Sequence, residues 1–157
     1  MNDAGVRPFS IRALLEDRAR YLVPMYQRNY AWGEGEITQL LQDVLDYQQK
    51  LVSGKGPQTY YIGTLVVFAR DDGSFEVIDG QQRFTTLSLL ANWLKHHAID
   101  SVDMSWYQTI NLAFESRPIS SHTFERLWQG VAPYDLRGST FNEGLVNGFE
   151  LIGKAMA

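Results

Sequence analysis

Val77-Ile78-Asp79-Gly80-Gln81-Gln82-Arg83-Phe84-Thr85-Thr86-Leu87 decides how this chain is read. Phe75-Glu76-Val77-Ile78 alternates like a half-buried strand, whereas Phe84, Leu87, Leu90 and Leu94 recur at helical spacing, so the polar cluster falls at a strand-to-helix switch. The first backbone N–H groups of a helix lack intrahelical partners and carry the positive end of its dipole, which attracts phosphate or carboxylate. Gly80 lets the main chain approach a ligand closely, and Arg83 adds a forked, permanently charged donor one turn in. A plain capping role stands beside this reading, because Asp79 followed three residues later by Gln82 fits the acidic form of a capping box. Asp79, Gln81, Gln82, Arg83, Thr85 and Thr86 nevertheless supply more hydrogen-bonding capacity than one cap uses, and the excess requires partners wherever it is buried.

Working outward, 157 residues suit one domain of ordinary size, and 45 % apolar with 13 % aromatic residues is ample for a packed core. The lack of cysteine excludes disulfide frameworks, thiolate metal sites and cysteine nucleophiles, and suits a reducing cytoplasm. Met1 to Ser10 has no apolar export segment, and the longest uncharged apolar run, Tyr60 to Ala69, falls well short of the roughly 18 residues a membrane span needs. A soluble, cytoplasmic protein with no membrane partner is expected. The net charge of −4 is uneven, with five Lys/Arg against three acids in residues 1–32 and three against eight in residues 33–79. Duplex-DNA binders draw affinity from a clear basic excess. A small pocket holding a nucleotide between local arginines fits this balance better.

Ser10 before Ile11, Leu14 and Leu15 predicts a capped helix to about Arg20, followed by an extended Tyr21–Arg28 in which Pro24 is unsuited to a central strand. Ile37, Leu40, Leu41, Val44, Leu45 and Leu51 predict a helix from Glu36, closed by a Ser53–Pro57 loop. Tyr60–Ala69 and Phe75–Ile78 read as a hairpin across Asp71–Ser74, and the switch helix runs from Gly80 to about His97. Asp103–Phe114, Ser121–Trp128 and Thr140–Met156 read as helices, the last opened by a Thr140-x-x-Glu143 capping box. Few strands early and several helices late argue for an α+β domain with a small sheet.

Other constellations are weaker. Arg28 among Tyr26, Tyr30 and Trp32 has the chemistry to stack on a base or clamp a phosphate, or simply to cover an aromatic edge of the core. His96 and His97 project about 100° apart on a helix and His122 stands alone, so no transition-metal centre is expected. A divalent cation held by Asp79 together with substrate phosphates stays compatible, since magnesium commonly uses one or two carboxylates plus waters and phosphates. There is no G-x-S-x-G elbow, and Phe114, Phe124, Phe141 and Phe149 read as core.

Val23-Pro24-x-Tyr26-Gln27-Arg28-x-Tyr30-x-Trp32, then Tyr61-Ile62-Gly63-Thr64-Leu65-Val66-Val67, then the opening stretch together resemble the amino-terminal domain of GmrSD-type modification-dependent restriction enzymes, in the ParB/sulfiredoxin-like group. Leu112-x-Phe114-x-x-Arg117 is similar to a later family segment, and Phe84 stands where leucine is usual. The resemblance implies a small mixed sheet with flanking helices and a helical carboxy-terminal part. It implies a phage-defence role in which the domain binds and hydrolyses GTP, UTP or CTP with Mg2+ and couples this to sensing or cutting modified DNA. By motif it implies Asp79, Gln81, Gln82 and Arg83 as catalytic residues, Gly80, Thr85, Thr86, Gln27 and Arg28 as nucleotide-binding residues, and Asp79 as the magnesium ligand. Asp79 would organise the cation or the attacking water, Gln81 or Gln82 would orient that water, Arg83 would hold phosphate charge, and Arg28 would approach from a facing strand.

Family proteins of this type continue into a nuclease domain with an HNH-like metal centre. The expected organisation is therefore a core with the nucleotide site over 1–100 and the start of a truncated helical region over 101–157, with a nuclease domain or subunit as partner. The competing readings are a non-catalytic ParB-like module for DNA recognition or partner docking, and a remnant in which the polar switch only caps a helix.

Overall fold

The computed structural model describes residues 10–52, 54, 62–98, 100–138 and 140–156. In chain order they form α1 (Ile11–Glu16), β1 (Tyr21–Val23), α2 (Glu34–Val52), β2 (Val66–Ala69), β3 (Phe75–Asp79), α3 (Gln81–His97), β4 (Leu112–Phe114), α4 (Pro118–Trp128), a 3-10 turn at Pro133–Asp135 and α5 (Glu143–Met156). This is the expected α+β class: a four-stranded mixed sheet ordered β2-β3-β1-β4, with helices around it. β2 and β3 form an antiparallel hairpin, and β1 runs parallel to both β3 and β4.

The hairpin closes because Asp72 Oδ1 accepts from both the backbone N–H and the hydroxyl of Ser74, and Gly73 adopts φ 90°. α1 starts where the Ser10 hydroxyl accepts from the Ala13 N–H at 3.0 Å, and α2 starts where Glu36 reaches back to the Gly33 N–H at 2.7 Å. Tyr21, Val23, Phe75, Val77, Leu112 and Phe114 alternate onto the helix-covered side of the sheet and share one core with Phe84, Phe124, Leu145, Phe149 and Ile152. Tyr21 anchors the seam, its ring 5.3 Å from both Phe75 and Phe84. Burying each such large side chain contributes about 1.5–3 kcal/mol. α5 packs on both α2 and α3, so the last helix covers the switch helix directly. No helix among the described residues is long and apolar enough to cross a membrane.

Several local expectations give way to tertiary structure. α1 stops at Glu16, and α2 begins at Glu34. β1 lies between β3 and β4 although Pro24 follows it, because the strand ends at Val23 and asks no ladder donor of the proline. Gln27 and Arg28 consequently sit in a loop and not on a strand. Among the described residues Ile62–Leu65 is irregular and strand structure starts at Val66; Tyr60, Tyr61 and most of the Ser53–Pro57 loop lie outside the described residues. Asp103–Phe114 is not helical: Tyr107 is fully buried in irregular backbone and Leu112–Phe114 pairs in parallel with β1. Asn142, not Thr140, caps α5 by accepting from the Leu145 N–H at 3.3 Å, held there by Thr123 and Ser120. The Asp79 to Gln82 capping box also fails, since Gly80 is the residue preceding α3 and no side chain caps it.

Candidate functional site

The switch is built around two glycines. Gly80 has φ 94°, a left-handed conformation that turns β3 directly into α3, and a Cβ there would stand 2.7 Å from the Thr64 carbonyl oxygen. The segment Ile62–Leu65, leading into β2, thus runs directly over the start of α3. At Gly63 a Cβ would fall 2.2 Å from an Arg83 guanidinium nitrogen, so the bare backbone of one sequence block makes room for the arginine of another. The Arg83 guanidinium carbon also lies 5.9 Å from the centre of the Trp32 ring.

The loop between β1 and α2 supplies the third wall, and amides hold it. Gln81 Nε2 donates to the Arg28 carbonyl at 2.8 Å, Gln82 Nε2 donates to the Asn29 carbonyl at 3.1 Å, and Gln82 Oε1 accepts from the Ala31 N–H at 2.7 Å. Gln27 Nε2 donates to the Ile78 carbonyl at 3.0 Å, tying the loop to the strand end beside Asp79. Arg117, from the turn after β4, donates to Asn29 Oδ1 at 2.7 Å, to the Met25 carbonyl at 3.1 Å and to the Gln27 carbonyl. Tyr26 donates to Glu76 at 2.6 Å, and Arg70 bridges Glu76 and Glu115 at 2.9 and 2.6 Å. The Tyr26 hydrogen bond, then Arg70, holds the Glu76 carboxyl below its ordinary range; Arg70 does the same for Glu115.

Tyr30 is not a stacking surface. It is buried, its hydroxyl sits 2.7 Å from Thr86 Oγ1, and burial pushes its pKa up to about 12. Gly144 and Gly148 on α5 admit it: a Cβ at either would lie 2.7 Å from Tyr30 atoms. Thr86 also donates to the Gln82 carbonyl at 2.8 Å, and Thr85 is fully buried with no hydrogen-bond partner for its hydroxyl among the described residues.

The structure therefore brings Gln27, Arg28, Gly63, Asp79, Gly80, Gln81, Gln82 and Arg83 together, while Thr85 and Thr86 face inward. Asp79 is exposed at the end of β3, and Arg28 is exposed on the loop. Arg83 is in no ion pair with a described carboxylate, and its Nε is buried without a partner, as is Gln81 Oε1. Among the described residues no group of three or more His, Asp or Glu side chains is arranged to hold a metal ion. A cleft of about 560 Å³ adjoins this region through Trp32, between Tyr30–Glu34 and the α5 residues Asn147, Leu151 and Lys154. Gly63 and Arg117 were present in the motif blocks, yet nothing in local spacing assigned the one to accommodating Arg83 or the other to clamping the loop.

These three converging walls are the three sequence blocks, and the comparison with known families agrees. The family described as GmrSD restriction endonuclease, N-terminal domain, matches residues 11–149. The chain belongs to this GmrSD N-terminal domain family. No curated protein is similar enough to count as a match. As a GmrSD N-terminal domain, the chain is a component type of a restriction system, and the match spans everything from α1 to the first half of α5.

Proposed function

We propose that this GmrSD N-terminal domain binds a nucleoside triphosphate at the β3–α3 switch and hydrolyses it, acting as a regulatory module of a modification-dependent antiphage restriction system. Arg83 carries the reading: its guanidinium is enclosed between Gly63 and Trp32 without a described counter-charge, one turn into a helix whose N-terminus has no side-chain cap. A partly enclosed, unpaired cation is unfavourable until an anion reaches it, and the open helix terminus favours the same sign of ligand.

In this reading phosphate oxygens meet Arg83 and the first N–H groups of α3, and Arg28 supplies a second positive charge from the loop. Gln81 and Gln82 act by fixing the loop backbone, because their amide nitrogens are already bonded to it. Asp79 contributes a solvent-facing carboxylate for the attacking water or for a cation. One carboxylate does not make a resident metal site, but it fits a magnesium ion that arrives on the phosphates, whose charge-neutralising chemistry is the ion's contribution. Trp32 offers its face to the base at the edge of the 560 Å³ cleft. GTP, UTP and CTP are the nucleotides to test; a cytoplasmic nuclease domain or subunit and modified DNA are the downstream partners.

Phosphate release from each nucleotide with magnesium is expected for the native chain and for Arg126→Ala on α4, and is lost in Asp79→Ala. A nucleotide at about 100 times its Kd adds about 2.7 kcal/mol to folding stability, which thermal denaturation detects. Neither turnover nor nucleotide-dependent stabilisation would leave a non-catalytic module for DNA recognition or partner docking.

A further inference from the structure

The sheet has a second feature of chemical interest, at its β4 edge. In the parallel ladder the Tyr21 N–H donates to the Asn111 carbonyl at 2.7 Å and the Glu115 N–H donates to the Val23 carbonyl at 2.9 Å, with Leu22 opposite Ala113. Strand groups alternate in direction, so Asn111, Ala113 and Glu115 turn their polar backbone toward β1, and Leu112 and Phe114 turn theirs toward the open edge. Of those four outward groups the Phe114 carbonyl is satisfied, by the Ser121 hydroxyl at 3.1 Å and the Arg117 N–H at 3.5 Å. The Leu112 N–H, the Leu112 carbonyl and the Phe114 N–H have no partner among the described residues, and both residues line a groove beside β4. Unpaired N–H and C=O groups in a row along a sheet edge are a template for the backbone of another chain.

The space beside that edge suits one. A groove of about 350 Å³ runs between β4 and α4, floored by Phe124 and Trp128, with Arg20 and Glu125 at its rim. Arg20 forms no ion pair with a described carboxylate. An edge strand beside a helix, with apolar side chains below and free N–H and C=O groups on one wall, is the arrangement that accepts an added strand.

We infer that the β4–α4 groove docks an extended peptide segment of a protein partner, which adds a strand to β4, seats an apolar side chain against Phe124 and Trp128, and presents an acidic residue to Arg20. The interaction is separate from the nucleotide site and stands whether or not that site turns over.

The test uses the full chain as bait for a phage-displayed library of random peptides of about ten residues, followed by a synthetic copy of the strongest binder. Amide hydrogen exchange by NMR is the readout. In the free chain the Leu112 and Phe114 amides exchange quickly while Ala113 is protected by β1; with peptide bound, Leu112 and Phe114 become protected as well. Arg20→Glu, on an exposed side chain, weakens the acidic peptide by about tenfold and shifts selection toward basic residues. Failure to enrich peptides, peptide-induced protection elsewhere, or protection of Leu112 and Phe114 already in the free dilute chain overturns the inference. Protection that rises with protein concentration alone also overturns it, by making a second copy of the chain the occupant.

Discussion

Arg83 and Gly63 share one volume, and this fixes what substitutions at either position do. Arg83→Ala removes an enclosed donor that has no described partner, so folding stability stays level or rises slightly while nucleotide-dependent stabilisation disappears; paired thermal melts with and without nucleotide separate these effects. Loss of stability in the nucleotide-free variant would mean the guanidinium is holding the fold together. Gly80→Ala acts oppositely. Left-handed backbone costs a residue with Cβ about 1–2 kcal/mol and the Thr64 carbonyl stands in the way, so urea denaturation should show a loss of at least about 2 kcal/mol. The glycine's conformational role is legible from its position at a strand-to-helix switch. Its contact with Thr64 is not, and neither are the partners of Gln81 and Gln82, because those acceptors lie more than fifty residues earlier in the chain. Local spacing showed an excess of amides; only the fold shows that they bind a loop.

Elements carry the next level of cause. α3 and the β2–β3 hairpin announce themselves by period and turn chemistry, and the structure has both, with the first strand of the hairpin shortened to Val66–Ala69 among the described residues. β4 does not: Leu112-Ala113-Phe114 is too short for a period, and what makes it a strand is parallel pairing to a segment about ninety residues earlier. The stretch before it wraps Tyr107 into the core, which breaks the helix its composition suggests. On α5, Gly148→Ala sets a helix-propensity gain of about 1 kcal/mol against a Cβ only 2.7 Å from the Tyr30 ring. Overpacking of this kind costs about 1–3 kcal/mol, so the net change is a loss, accompanied by disturbance of the Tyr30–Thr86 contact and weaker nucleotide stabilisation. The Arg70–Glu76–Glu115 group ties the hairpin to the turn after β4. Both carboxyls titrate below their ordinary value, near 4.3, so their contribution is complete above about pH 4.3 and is lost as pH falls through the lower folded values. Urea midpoints measured between about pH 5 and 3 should fall more steeply for the native chain than for Arg70→Gln.

Across the whole molecule, one core runs from Leu15 to Ile152, and α5 alone contributes Leu145, Val146, Phe149 and Ile152 to it. Unfolding by urea is expected to be a single transition by both circular dichroism and tryptophan fluorescence, and removal of residues 143–157 should leave no cooperative transition. The α+β class and the meeting of the three motif blocks were readable in advance. The closing of the site from the far half of the chain was not, since Arg117 reaches its acceptors at Met25, Gln27 and Asn29 only through the β1–β4 pairing. That bond pattern sets a timetable. A nascent polypeptide will have emerged from the ribosome with every letter of the switch already translated and its amides able to reach the first loop, and that loop will still lack its guanidinium clamp until residue 117 follows; the finished shape of the loop is therefore acquired late in synthesis, when the second half arrives.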